Sequence, residues 1–284
     1  SNLFDYIIID EASQCDIASV IPLLQRGKKL IVIGDDQQLK HITCVSTEED
    51  KYIADLLDLG GAKRFNYAED SLYDYAKVWS EKNEISTIFL PKHYRSHPDI
   101  IKFSNTIFYE KEGKSLEILT DITTFPVEEQ GIYWHHISGN IVPNKNINKD
   151  EAIKSYELAK LLSEKYPDST IGIITPFSDQ RDLIQSFIKD ELGKKVYPLT
   201  VHQSQGDEHD IIILSLVVNS ETKKSLTNFI NDISPFLLNV GVTRARAALH
   251  IIGDYHYCIN LRAQSPLSQL AQYCQGKRAL LFET

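Results

Sequence analysis

The chain has 284 residues, of which 42% are hydrophobic, and it carries 30 Lys and Arg against 39 Asp and Glu, a formal net charge of -9. This composition supplies ordinary cores for two compact domains of roughly 100–200 residues each, and it excludes global disorder. The negative charge argues against a uniformly basic surface for nucleic acid, since phosphate binding depends on clustered Lys and Arg.

The first predicted element is a strand that begins almost at once. Leu3–Ile9 is an apolar run with no turn or cap before it, and the chain contains no Met. Because natural domains seldom open on a buried strand, we expect a piece of a longer protein, with Ser1 and Asn2 left over from its excision.

Short apolar runs alternate with helical patterns along the chain, which predicts an α/β fold with a mainly parallel sheet and helices on both faces. Several of these runs are apolar throughout, as expected where both faces of a parallel strand are buried. The predicted strands are Tyr6–Ile9, Leu30–Ile33, Ser86–Leu90, Thr170–Ile174, Tyr197–Val201, Ile211–Val217 and Leu249–Ile252.

Two helices are predicted in the second half of the chain. Glu151–Tyr166 has an apolar stripe at helical spacing, and Asn148 with Glu151 forms a capping pattern before it. Ser178–Leu192 repeats the pattern from a Ser cap. Gly139–Lys149 is predicted to be a surface loop.

Polar residues follow the first two predicted strands, where open α/β sheets place their ligand sites. Asp10 and Glu11 end the first strand. One carboxylate can hold Mg²⁺ and the other can polarise water, or both acids simply open a helix. Gly34-Asp-Asp-Gln-Gln38 ends the second strand, and Gln38 either orients a water or phosphate oxygen or lies in a surface turn.

Three further polar segments lie in the second half or lead into it. Arg95 is a phosphate clamp or a stacked structural arginine, and His93 and His97 have no partner at zinc-ligand spacing. In the loop 201–210, Glu208 suits a ribose hydroxyl, unless the loop is an ordinary one. Arg244 is an arginine finger or one of two solvated helix arginines.

The order of these segments is more specific than any one of them. Acidic pair, Gly-Asp-x-x-Gln-Leu, Tyr-Arg-x-His-Pro, Gln-Gly-x-Glu-x-Asp and Asn-Val-x-x-Thr-Arg-Ala occur in sequence between residues 10 and 247. They resemble motifs II to VI of superfamily 1 DNA/RNA helicases, and the Upf1-like and Dna2-like branch in particular. The resemblance implies RecA-like domains of the P-loop NTPase class that use ATP and Mg²⁺ to move along single-stranded DNA or RNA.

The resemblance also implies roles for individual residues. Asp10 would hold Mg²⁺, Glu11 would activate water, and Gln38 and Arg95 would sense the γ-phosphate.

In the second half of the chain, the resemblance implies that Gly206 and Glu208 bind the nucleotide and couple it to the strand. Arg244 would be the arginine finger.

Nucleic-acid contacts are carried over from the resemblance as well. In family members, two segments contact the backbone of the nucleic acid. They are the loop after the strand Thr170–Ile174 and the start of the loop 201–210. Thr175, Pro176 and His202 are therefore the expected strand contacts, whereas DNA and RNA are not distinguished by the residues.

One departure from the family pattern dominates. The phosphate loop Gly-x-x-x-x-Gly-Lys-Ser/Thr, which lies upstream of motif II in the family, is absent from this sequence. We therefore expect the carboxyl-terminal part of an intact helicase, inactive as a fragment, whose amino-terminal half is missing. The alternative is a degenerate helicase-like module that binds nucleic acid or a protein partner without hydrolysis.

The resemblance gives a domain scheme. Residues 1–92 are expected to be the remnant of the first RecA-like domain with motifs II and III, and residues 93–258 the second with motifs IV to VI. Residues 259–284 are expected to be a tail, after which a further domain is possible in the parent protein.

Further composition data bear on the cellular compartment. No apolar run reaches the roughly 20 residues of a membrane-spanning helix, and no signal peptide is evident, so we expect no membrane partner. The cysteines form no paired pattern, which favours a reducing compartment, the cytoplasm or, in a eukaryote, the nucleus. They are Cys15, Cys44, Cys258 and Cys274.

Overall fold

The structure is a computed structural model, and it divides into two compact units, Ser1–Phe89 and Leu90–Thr284. Ser1 and Asn2 lie outside the described residues. Within the described part of the chain, no helix has both the length and the hydropathy to cross a membrane. The structure describes residues 3–58, 66–188, 192 and 194–282.

The first unit is built on two parallel strands that pair in register from Phe4↔Gly27 to Ile9↔Val32. Capping boxes begin two of its helices, with Ser46 and Glu49 at one and Ser71 and Asp74 at the other. The elements of the unit are β1 (Phe4–Ile9), α1 (Ile17–Leu24), β2 (Gly27–Val32), α2 (Thr47–Leu56) and α3 (Leu72–Lys82).

The second unit contains a six-stranded sheet and a separate strand pair, both parallel throughout. Its strands are β3 (Lys92–His93), β4 (Glu117–Ile118), β5 (Gly131–His136), β6 (Ile171–Thr175), β7 (Val196–Thr200), β8 (His209–Ser215), β9 (Ala245–Gly253) and β10 (Leu280–Phe282). The sheet order is β10-β5-β9-β8-β6-β7, and β3 pairs with β4.

Helices connect these strands. They are α4 (Pro98–Ser104), α5 (Lys149–Lys165), α6 (Ser178–Phe187), α7 (Lys224–Asn228), α8 (Phe236–Thr243), α9 (Tyr255–Ile259) and α10 (Pro266–Gly276). The α/β class with a parallel sheet is thus confirmed.

The domain scheme differs from the observed division in two respects. The units divide between Phe89 and Leu90 rather than after residue 92. Residues 259–284, expected to be a tail, supply α10 and the edge strand β10, because Leu280–Phe282 pairs with Trp134–His136 of β5.

One predicted strand is wrong. Residues 86–90 form no strand, and all of their side chains are exposed, Ile88 at 86%. Among the described residues, no neighbouring strand pairs with this apolar run. The run therefore has no backbone hydrogen bonds to a partner strand, although its residues fit the pattern of a strand. Conversely, β5 was missed because Gly131–His136 mixes Gly, Tyr, Trp and two His rather than aliphatic residues.

The predicted helix caps divide into one success and one error. The Asn148 side chain accepts the Glu151 N–H at 3.2 Å, so the capping pattern before α5 is confirmed. Ser178 is not a cap: it is the first residue of α6, and Phe177 precedes it with no side-chain cap bond. The helix ends at Phe187, and residues 189–191 of the predicted helix lie outside the described residues.

A buried carboxyl group joins α5 to the carboxyl end of β8. Glu151 is fully buried, and its Oε2 accepts from Ser215 Oγ at 2.8 Å and from the Val217 N–H at 2.9 Å. Its Oε1 accepts from Asn148 Nδ2 at 3.1 Å. Burial raises the pKa of Glu151 to about 8, in spite of these donors. Val217 has a φ of 66°, so this network also holds a β-branched residue in the left-handed region.

We expect Glu151→Gln to change how stability depends on pH. The pKa of Glu151 is above its ordinary value of 4.5, so the native state binds more protons between pH 4.5 and about 8. The stabilisation by protonated Glu151 is complete below this window and is lost as the pH rises through it. As the pH rises from 4.5 to about 8, the unfolding free energy of the wild type should fall relative to that of Glu151→Gln, by up to about 1.4 kcal/mol per pH unit.

Urea denaturation at a series of pH values measures this difference. Glu157→Gln is the control, because Glu157 lies on the same helix with an exposed side chain. Parallel pH profiles for the wild type and Glu151→Gln would show that Glu151 does not titrate in this window.

Candidate functional site

Asp10 and Glu11 lie at the carboxyl end of β1, and both are exposed. Glu11 has a φ of 51°, and its N–H donates to Asp10 Oδ1 at 2.8 Å. Gln14 Nε2 donates to Glu11 Oε2 at 3.0 Å. Glu11 precedes only a short 3₁₀ turn and its side chain makes no cap bond, so the two acids do not serve to open a long helix. Their carboxylates remain available to solvent.

Gln38 lies at the same edge of the strand pair. The Ile33 N–H donates to Ile9 O at 2.9 Å and the Ala12 N–H donates to Ile33 O at 2.9 Å, which ties the two strand ends together. Beyond this point Asp35 Oδ2 accepts from Gln38 Nε2 at 3.1 Å. Because parallel strands end at one edge, the first unit brings the predicted residues of motifs II and III to that edge.

In the second unit, the structure brings Arg95 and Glu208 together. Arg95 Nε lies 3.0 Å from Glu208 Oε1, although the two residues are far apart in sequence. They line an open cavity of about 410 Å³, here called the cationic cavity. Its lining residues are Lys92, His93, Tyr94, Arg95, Thr124, Phe125, Glu208 and Arg246.

Cations outnumber anions in the lining of the cationic cavity. Lys92, Arg95 and Arg246 face one lining carboxylate, that of Glu208. Burial and the nearby Arg95 charge lower the pKa of His93 to about 4, so this imidazole is neutral at pH 7. Its Nε2 accepts the Ser96 N–H at 2.8 Å, which shapes the turn that carries Arg95. Such a cavity attracts anions, and the guanidinium fork matches phosphate oxygens.

The other predicted nucleotide residues of this unit, Gly206 and Arg244, are not part of the cavity lining. Gly206 has a φ of 91° in an exposed loop, a conformation that favours glycine. Arg244 is 3% exposed, and its guanidinium donates to Val240 O at 3.3 Å and to Asp207 O at 3.4 Å. Its role as an arginine finger stays a prediction.

The three predicted strand contacts belong to two adjoining segments. The Val201 N–H donates to Thr175 O at 3.0 Å, so the end of β6 lies beside the start of the loop 201–210. Thr175 is fully buried and Pro176 is buried. His202 is half-buried, and burial lowers its pKa, so it is not a cation at neutral pH. Their contact with nucleic acid stays a prediction.

Gly113-Lys114-Ser115 matches the last three positions of a phosphate loop, but Phe108 stands where the first glycine belongs. A helix should follow such a loop, whereas strand β4 follows here. These residues therefore do not replace the missing motif.

Sequence reasoning missed two features of the cationic cavity. The alternative of two solvated helix arginines is wrong for Arg246, which lies in β9 and lines the cavity. Phe125 belongs to an irregular segment with no motif, and nothing in its sequence pattern indicates a site.

Comparisons with known proteins identify the family of the chain. Two family models, each described as an AAA domain, match residues 69–256 and residues 1–46. Helicase SEN1 of Saccharomyces cerevisiae is 32% identical over 88% of this chain, and the ATP-dependent helicase NAM7 of the same yeast is 30% identical over 88%. The chain belongs to the superfamily 1 helicases of the Upf1-like branch.

Membership of this helicase family accounts for the order of the motifs along the chain. The chain spans only 11% of the length of SEN1 and 25% of that of NAM7. Among solved structures, that of the PRRSV helicase aligns over 91% of this chain and 36% of its own, with a TM-score of 0.41 and 15% identity.

Gly34 allows the close approach of the two helicase-motif segments in the first unit. A Cβ at this position would lie 2.6 Å from Tyr73 Cδ2 and 3.2 Å from the Ser13 backbone nitrogen. We expect Gly34→Ala to destabilise this unit by about 1–3 kcal/mol through overpacking. Hydrogen exchange of the β1 and β2 amides should accelerate by about five- to 150-fold.

Gly276→Ala is the control, because a Cβ there meets no atom within 4 Å. It should leave the exchange of β1 and β2 unchanged. Unaltered exchange in Gly34→Ala would show that Tyr73 and Ser13 give way without cost.

Proposed function

We propose that the chain is the carboxyl-terminal motor portion of an ATP-dependent superfamily 1 helicase or translocase. In the parent protein it couples ATP hydrolysis to movement along single-stranded DNA or RNA. The observation that carries this proposal is the convergence of Arg95, Glu208 and Arg246 on one cationic cavity. Arg95 and Glu208 come from two of the family's motifs and Arg246 directly follows a third, and a cavity of this charge suits a nucleoside polyphosphate.

The second unit supplies charge that complements a nucleotide. Arg95 senses the γ-phosphate, and its ion pair with Glu208 is half-exposed, so a bound phosphate can compete for the guanidinium. Glu208 then accepts from a ribose hydroxyl, which is the bond that its carboxylate can make once released. Gly206 keeps the loop that carries Glu208 in its left-handed turn.

The first unit supplies the carboxylates. Asp10 fits a Mg²⁺ ligand, because it is exposed and, among the described residues, only the Glu11 N–H bonds to its carboxylate. No cluster of three or more ligating side chains exists in the described part of the chain. That suits Mg²⁺, which binds one or two carboxylates and takes its other ligands from water and substrate phosphates. A bound ion would neutralise phosphate charge, Glu11 would orient and deprotonate the attacking water, and Gln38 would hold that water in place.

Nucleic acid is assigned to the adjoining segments at the end of β6 and the start of the loop 201–210. Thr175, Pro176 and His202 lie there, next to the loop that carries Gly206 and Glu208. A single strand bound at these segments would be sensitive to the nucleotide-dependent position of that loop. This adjacency supports coupling between strand and nucleotide. Because burial keeps His202 neutral, it contacts the strand by hydrogen bonding or stacking rather than by charge.

The absence of a phosphate loop favours a second candidate, a helicase-like module that binds nucleic acid or a protein partner without hydrolysis. The two candidates differ in whether Glu11 performs chemistry in the parent protein.

We expect the 284-residue chain alone to show no ATP hydrolysis above the blank. It lacks the glycines and lysine that hold the β- and γ-phosphates in place, and phosphoryl transfer depends on that positioning. Phosphate release with single-stranded DNA or RNA present measures this. Turnover by the chain that Glu11→Gln abolishes would contradict the expectation.

In the parent protein with its phosphate loop, Glu11→Gln should lower ATP turnover by about 10²–10⁴-fold, since it removes the general base. ATP affinity should change little, because Gln keeps the shape of Glu11. Glu48→Gln, on the exposed surface of α2, is the matched control and should retain turnover. Normal turnover in Glu11→Gln would favour the non-hydrolysing candidate or another base.

A further inference from the structure

Arg246 owes its position to an irregularity between the two central strands of the six-stranded sheet. His209 pairs with Ala245 and Ile211 pairs with Ala248, so β9 has one residue more than β8 between these pairs. Arg246 and Ala247 therefore lie opposite Asp210 alone. Such a bulge re-aims side chains, and bulges of this kind are enriched next to active sites.

The guanidinium of Arg246 is anchored on one side only. Its Nη1 donates to Asp210 Oδ1 at 3.1 Å. Asp210 is itself fixed, because its Oδ2 accepts from both the N–H and the Oγ1 of Thr170, at 2.9 and 3.0 Å. The Asp210 side chain is 8% exposed, whereas that of Arg246 is 43% exposed. A rigid carboxylate thus holds one corner of an accessible guanidinium.

The remaining donors of Arg246 have no partner among the described residues. Arg has five N–H donors, so Nε and Nη2 are left for a group in the cationic cavity that Arg246 lines. Arg244 contrasts with this arrangement, since it is buried and its guanidinium donates to backbone carbonyls.

The balance of charge around the cavity points to an anion as that group. Asp210 offsets one positive charge, and Glu208 offsets another through Arg95. Lys92 is exposed and has no ion pair within the described residues. An added polyphosphate would satisfy Lys92 and the open side of Arg246 together.

We propose that Arg246 contacts a phosphate group of the nucleotide in the cationic cavity, with Asp210 and Thr170 as its positioning residues. This inference rests on the proposed function, and it adds a phosphate contact to Arg95. The planar fork of Arg246 forms a charge-assisted hydrogen bond to a phosphate oxygen through Nε or Nη2, while Nη1 stays on Asp210.

The 284-residue chain tests the proposal in titrations with ATP, inorganic triphosphate and adenosine at low salt. NMR of arginine Nε–H groups reports on each guanidinium directly. Triphosphate should shift the signals of Arg246 and Arg95 and leave that of Arg262 in place. Arg262 is the matched control, since it is exposed, pairs with Asp232 and lies outside the cavity.

Variants then measure the contribution of the contact. Arg246→Gln should weaken the affinity for ATP and for triphosphate by about ten- to hundredfold, the usual worth of a hydrogen bond to a charged group. It should leave adenosine binding and the Arg262→Gln control unchanged. Arg246→Lys keeps the charge and the pairing with Asp210, so it should restore part of the affinity. Arg246→Lys also serves as the test if Arg246→Gln does not fold, because Lys keeps a positive charge beside Asp210.

The outcomes separate this inference from the proposed function. Wild-type affinity for triphosphate in Arg246→Gln, together with weakened binding in Arg95→Gln, overturns the role of Arg246 and leaves the nucleotide cavity standing. Equal losses for adenosine and triphosphate also overturn a phosphate contact. No saturable binding of ATP by the wild type, or no effect of either arginine, overturns both.

Discussion

The pairing of β8 with β9 is the constraint on which the second unit depends. Every residue of β8 is buried, and so is every residue of β9 except Arg246, so their register cannot slip without exposing the core. The bulge that pairs Asp210 with Arg246 lies at the amino-terminal ends of the two strands. At the carboxyl end of β8, the hydrogen bonds of Glu151 hold Val217 in place. The loop that carries Glu208 leads directly into the same strand. The strand pair β8 and β9 thus positions Asp210 and Arg246 and receives the loop that carries Glu208.

The two units differ in the charge at their predicted site residues. Asp10 and Glu11 place exposed carboxylates at a strand end of the first unit, whereas the second unit contains the cationic cavity. The net charge of -9 is therefore no obstacle to anion binding, because the relevant quantity is the local charge of the lining. Phosphoryl transfer depends on positioned charge more than on covalent chemistry, which is consistent with sites made of ion pairs and strand ends.

Much of this arrangement was accessible from the sequence, and the exceptions have physical causes. Aliphatic runs such as that of β8 predict a strand buried on both faces, and the motif order predicted that Arg95 and Glu208 serve one site. The strand at residues 86–90 was wrong because pattern alone does not supply a pairing partner. The place of Arg246 in the cavity is not predictable from the sequence, because a bulge depends on the register of two strands, which one segment does not encode.

The cores of the two units differ in a way that affects how the chain is measured. The first unit packs around a small cluster, Ile9, Ala12, Val20 and Leu72, whereas the second has an extended core under α5 and α6. Two such units need not unfold together, so a single melting temperature does not describe the chain. Of the two tryptophans, Trp134 is fully buried in the second unit and Trp79 is 61% exposed in the first. The shift of tryptophan emission on unfolding consequently reports mainly on the second unit, because Trp79 is already exposed in the folded first unit.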